Sequence, residues 1–153
     1  MTYKLQNSRQ IILLMNKIFL TFLICFFSTN LLSKENNDYF KRGQENFNKK
    51  NIEKAKLNFE KDIVRNQKNI KSYLYLAKIH KEKKNSKEFE KNLKTVLTLD
   101  PKNEEALYLL IKKKIKDADY DFASKKYEIF SKYCSKLCSK KSEIDRLIKK
   151  SKS

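Results

Sequence analysis

Glycine occurs once in this chain, proline once, histidine once and tryptophan never. One glycine cannot build a glycine-rich phosphate loop, where the backbone must approach the phosphates at several points. One histidine, His80, excludes the two-histidine zinc motifs. The three cysteines contain no Cys-x-x-Cys pair, which removes a thioredoxin-type redox centre. No serine-centred nucleophile elbow is present either. The paired acids Glu104-Glu105 and Asp119/Asp121 fall at helix starts, where the helix dipole favours carboxylates. The chain is therefore expected to be no enzyme, with no cofactor, no metal and no small-molecule substrate.

What the chain has in quantity is lysine. It carries 36 basic and 18 acidic residues, a net charge of +18 over 153 residues. Few breakers combined with many Lys and Glu favour helices over strands. Residues 1–33 hold only the positive charges Lys4, Arg9 and Lys17, so residues 34–153 carry +15. Such a charge attracts acidic proteins, anionic lipid or nucleic acid, and is equally compatible with a merely solvated surface.

Residues 18–27 read IFLTFLICFF, an apolar run broken only by Thr21. Lys17 precedes it and Ser28-Thr29-Asn30 follows, the layout of a signal peptide. A start at Met15 would make MNKIFLTFLICFFSTNLLS a compact one, ending near Ser33. The alternative is an uncleaved anchor, for which a run of about 15 residues is short of the ~20 a span needs. A lipoprotein cysteine at Cys25 is disfavoured by the large Ile24 before it. Each reading predicts an exported protein, periplasmic or envelope-associated, and an uncleaved anchor would add membrane association through residues 11–32.

Beyond Ser33 the chain repeats at 34 residues. The step takes Gly43 to Ala77 and Ile111, Ala55 to Phe89 and Ala123, Phe59 to Leu93 and Tyr127, and Tyr39 to Tyr73 and Leu107. Asn51, Asn85 and Asp119 align as helix N-caps, because each side chain can accept a backbone N–H. Apolar residues recur at helical spacing, as in Ala55, Phe59 and Ile63. The pattern predicts helices at 38–48 with 51–65, 70–83 with 86–99, and 104–116 with 119–133, then a closing helix near 140–150. Ile144, Leu147 and Ile148 give that last helix a narrow apolar stripe.

A 34-residue helix pair with these positions resembles the tetratricopeptide repeat, TPR. The match reads Tyr39, Gly43, Phe47, Ala55 and Phe59 in the first unit. In the second it reads Tyr73, Leu76, Ala77, Leu93 and Pro101, and in the third Leu107, Leu110, Tyr120, Ala123 and Tyr127. The single Gly falls on the small position of the first helix and the single Pro on the exit position. Phe89, Ile111, Asp62 and Gln67 depart from the family pattern, and the bulky Phe89 is expected opposite the small Ala77. The resemblance covers about 97 of the 153 residues.

It implies an all-α fold of TPR-type helix-turn-helix repeats stacked in a right-handed superhelix with a C-terminal capping helix. The expected organisation is a signal peptide or signal anchor at 1–33, a linker at 34–37, helix pairs at 38–68, 69–102 and 103–134, and a capping helix with basic tail at 135–153. Cys134 and Cys138 fall at the turn after the third pair and are disulfide candidates; two free thiols are the alternative. His80, between Lys78 and Lys81, is expected to be a partly exposed structural residue.

TPR stacks bind along a concave groove lined by the first helix of each pair. By resemblance the groove positions are Phe40, Gln44 and Phe47, then Lys71, Leu74, Tyr75 and Lys78, then Glu105, Tyr108, Lys112 and Lys116. This set is aromatic and basic, and suits an acidic, aromatic-anchored protein segment. The Lys/Asn clamp of chaperone-docking members is not matched, since Phe40 and Gln44 stand at its positions. The expected function is a protein-interaction adaptor, by family analogy in envelope assembly or secretion. The alternative is an electrostatic binder of lipid headgroups or an acidic polymer. Nucleic acid is the weakest form of that alternative.

Overall fold

The computed structural model describes residues 38–150 together with Met15 and Lys17. Apart from those two residues, the targeting segment, the linker at 34–37 and residues 151–153 lie outside the described residues. Helices occupy Tyr39–Asn48 (α1), Ile52–Arg65 (α2), Ile70–Glu82 (α3), Ser86–Leu99 (α4), Glu104–Lys116 (α5), Tyr120–Tyr133 (α6) and Lys141–Lys150 (α7). A 3-10 turn, Cys138–Lys140, leads into α7. The fold is all-α: three helix pairs and a capping helix in a TPR-type superhelical arrangement. The first helices end at 48, 82 and 116 and the second begin at 52, 86 and 120, each 34 residues on.

The turns within the pairs obey the same step. Among the described residues Lys50, Lys84 and Ala118 are those with positive φ, at 60°, 55° and 60°. A left-handed residue after a helix lets the chain reverse while the last carbonyls stay bonded, here by Asn51, Asn85 and Asp119 N–H to the carbonyls of Asn46, His80 and Lys114. Glycine usually fills that position, and none of the three is glycine. Asn85 and Asp119 then cap the following helix, accepting from Glu88 N and Phe122 N. Asn51 departs from the expectation: it occupies the N-cap but makes no side-chain cap bond. The caps of the first helices are Asp38, Asn69 and Asn103.

Within a pair, packing depends on who is small. A Cβ added at Gly43 would lie 2.6 Å from Cε1 of Phe59, whose ring fills the space between α1 and α2. In the second pair Ala77 shares a cluster with Phe89 and Leu93. In the third the sizes reverse, with bulky Ile111 in the cluster that holds small Ala123. Departures from the family pattern thus occur in compensating combinations that keep the interior filled. Asp62 is another such departure. Its carboxylate accepts from Asn69 Nδ2 and Ser72 Oγ, both at 2.6 Å, and fixes the turn from α2 to α3.

No pair completes its own core. One cluster joins Ala55 and Phe59 to Leu76 and Ile79 of α3. The next joins Phe89, Leu93 and Val96 to Ala106 and Leu110 of α5. The last joins Ala123 and Phe130 to Ile144 and Ile148 of α7. Ile144 stands 34 residues after Leu110 and 68 after Leu76, and all three are buried. The capping helix therefore takes the place of a further first helix. Cys134 and Cys138 are bonded, with Sγ atoms 2.04 Å apart, in the turn that delivers it. Glu104 grips the same turn. Its carboxylate accepts the N–H groups of Ser135, Lys136 and Leu137 at 2.8, 2.9 and 3.1 Å, and these bonds hold its pKa below the usual value, the Ser135 bond foremost. Its expected role was only that of a helix-start acid.

Two substitutions test these constraints. Gly43→Ala should destabilise the protein, because overpacking costs about 1–3 kcal/mol against a helix-propensity gain of at most about 1 kcal/mol. Adding Phe59→Leu should recover part of the loss in urea denaturation. Ala118→Gly, at an exposed left-handed position, should stabilise by about 1 kcal/mol, since only the Cβ strain is removed.

Candidate partner-binding groove

The first part of the groove is built around Tyr75. Its ring stacks on Phe59 with centroids 4.7 Å apart and planes 10° apart. Phe47 meets it edge-on at 5.2 Å and Phe40 at 6.0 Å. Gln44 Nε2 donates to the Tyr75 hydroxyl at 3.2 Å, and Lys78 Nζ lies 5.2 Å from the ring centroid. Five of the expected groove residues thus converge, from α1 and α3, on one half-buried aromatic patch. Leu74 is a correction: it is only 9% exposed and packs in the core with Ala77, Phe89 and Leu110. It lies one residue from Tyr75, about 100° around the helix, which turns it inward. Lys71 is exposed at the start of α3.

The basic residues are partly spent on neighbouring helices. Gln44, Lys78 and Lys112 occupy equivalent positions, 34 residues apart, and each reaches the next helix of the groove. Gln44 meets Tyr75, Lys78 pairs with Glu105 at 2.8 Å, and Lys112 pairs with Glu143 of α7 at 2.8 Å. The Tyr108 hydroxyl also donates to Glu143, at 3.3 Å. The Lys112 bond lowers the Glu143 pKa, and the same bond raises that of Lys112. Sequence reasoning placed Tyr108 and Lys112 in the groove but missed this internal carboxylate, because Glu143 is 31 residues from Lys112 on a helix read only for its apolar stripe.

Tyr108, Lys112 and Lys116 also line a pocket of about 550 Å³ with His80, Lys81 and Lys84. His80 is a second correction. It is 7% exposed rather than partly exposed, and its Nδ1 is buried without a hydrogen-bond partner. Burial holds its pKa below the ordinary imidazole value, and the Lys56 charge acts in the same direction. Among the described residues no group of His, Cys, Asp or Glu is arranged to hold a metal ion.

No family model matches the sequence, and no curated protein matches it. Among solved structures the fold is similar to a chain described as the TPR2B-domain:pHsp70-complex of yeast Sti1. The TM-score is 0.61 at 19% identity, over 76% of this chain and 94% of that one. That likeness establishes the TPR-like helical-repeat fold. It also stands against the expected exported, periplasmic or envelope-associated location, which is corrected here. The match is to a yeast Sti1 domain, and no helix among the described residues is long and apolar enough to cross a membrane. The longest described helices have 14 residues and span about 21 Å, short of a hydrocarbon core of about 30 Å.

The Glu143 contact has a pH signature. A carboxylate with a lowered folded pKa adds stability above its ordinary value and loses it as pH falls through the lowered one. Glu143→Gln should therefore lower the melting temperature at neutral pH by a small amount, an exposed pair being worth about 0–1 kcal/mol. It should also flatten the acid limb of stability against pH in thermal unfolding scans. An acid limb identical to that of the parent protein would contradict the pairing.

Proposed function

We propose that this chain is a non-catalytic adaptor that holds an extended segment of a protein partner across the first helices of its pairs. The observation that carries the reading is the convergence of Phe40, Gln44, Phe47, Tyr75 and Lys78 on one half-buried patch. Aromatic rings with polar edges, backed by a filled interior, are the typical centre of a protein-binding surface. The repeat fold supports it, because stacked helix pairs leave their first helices side by side. The similar Sti1 structure is of a complex with pHsp70. That partner is not carried over, since Phe40 and Gln44 occupy clamp positions.

The competing function is charge-driven binding to an anionic surface or polymer. The two readings part on salt, since binding to a polyanion weakens steeply as salt rises whereas aromatic anchoring persists. Tyr75 and Tyr108 are poor probes because both support the fold. Phe47→Ser with Lys71→Glu changes the groove surface and keeps both rings of the Tyr75–Phe59 stack. We expect the full chain, immobilised, to retain one protein from cell extract through a high-salt wash and this double variant to lose it. Retention only at low salt, spread over acidic proteins and lipid and unchanged in the variant, would replace the groove by charge.

A further inference from the structure

The pocket beside the groove lies between the end of α3, the start of α4 and the middle and end of α5. Its apolar wall includes Phe89, which is 6% exposed, and the half-buried Leu109. Lys81, Lys84 and Lys116 are exposed around it and, among the described residues, form no ion pair. Lys112 and Lys113 also line it and are paired, with Glu143 and Asp117 respectively. Asp117 is the one acid on the pocket wall. We propose that this pocket anchors an acidic segment of the partner, with an apolar side chain against Phe89 and Leu109 and carboxylates on Lys81, Lys84 and Lys116. This rests on the adaptor reading above and gives the partner its chemistry.

The volume, about 550 Å³, is that of a cleft able to enclose side chains, within the usual range of about 300–1,000 Å³ for ligand pockets. Like charges gathered around an apolar wall repel one another and concentrate field in the cleft, so an incoming carboxylate relieves repulsion as well as gaining attraction. Two of the lining residues already hold a carboxylate: Lys112 and Tyr108 donate to Glu143 of α7, which is not itself among the lining residues. His80 adds a buried polar atom without a partner. Every basic residue lining the pocket other than His80 is lysine, without the planar fork by which arginine grips phosphate bidentately. A concave apolar wall also suits an inserted side chain better than a lipid surface or a nucleic-acid backbone.

The probe is a blocked peptide, Glu-Glu-Phe-Glu-Glu, with its Gln-Gln-Phe-Gln-Gln analogue. Both are titrated into the full chain by calorimetry, with the ring signals of His80 followed by NMR. The chain has one histidine, so those signals report one place. The acidic peptide should bind and shift the His80 signals, and the neutral analogue should do neither. Lys81→Glu with Lys116→Glu should weaken binding by about tenfold or more, equivalent to about 1.4 kcal/mol. Lys54→Glu with Lys125→Glu removes the same charge from exposed positions elsewhere and should leave binding little changed. Equal losses in the two double variants would overturn the pocket in favour of net charge. Binding lost only in Phe47→Ser/Lys71→Glu, with His80 unmoved, would overturn the pocket and leave the groove standing. Indifference to all three variants, or equal binding of the neutral peptide, would remove both.

Discussion

Every part of this molecule depends on one constraint: a helix pair of this size has two apolar stripes and can bury only part of them against itself. The remainder must be covered by the next helix in the chain. The three clusters follow from that, each made of one pair plus the first helix of what comes after. The arrangement is directional, and it ends only when something polar-backed closes the last face. α7 does this with Ile144 and Ile148 inward and charged residues outward. Burial of such side chains, at about 25 cal/mol per Å² of apolar surface, is the main stabilising contribution. The ion pairs between neighbouring helices add comparatively little, being half-exposed.

The same constraint generates the candidate binding surface. Stacking in one direction aligns α1, α3 and α5, so residues 34 apart come to occupy one face. Lys78 and Lys112 show what this does to charge: each is paired with an acid of the following helix, Glu105 of α5 and Glu143 of the cap. Lys81, Lys84 and Lys116, which form no ion pair among the described residues, stand further along the helices, near the turns. The overall charge of +18 is therefore a poor guide to where an anion would settle. What matters is which cations lack an internal acid and which of those surround an apolar wall.

The fold was largely legible because it is written in one dimension. A period of 34, a small residue at Gly43 and Ala77, and cap residues at Asn85 and Asp119 are local signals, and the helix ends fall within a residue or so of the positions they predict. The site was less legible. Phe40, Gln44, Phe47, Tyr75 and Lys78 do gather, but Leu74 turns inward and His80 is buried. A helix places neighbours about 100° apart, so a face read from a repeat pattern is uncertain by one residue at its edge. The partners Glu143 of Lys112, and the 135–137 backbone of Glu104, are more than 30 residues away from them in sequence.

By itself, then, the sequence determined the helices, their pairing and the need for a cap, because these follow from periodicity, capping chemistry and residue size at fixed spacing. Only the tertiary structure decided which lysines remain free, which aromatics stack on Tyr75, and that Glu104 and the Cys134–Cys138 bond hold the turn into α7. Those outcomes depend on distances between helices remote in sequence. Such distances are set by how Gly43, Ala77 and Ile111 let each pair close, which no single position reveals.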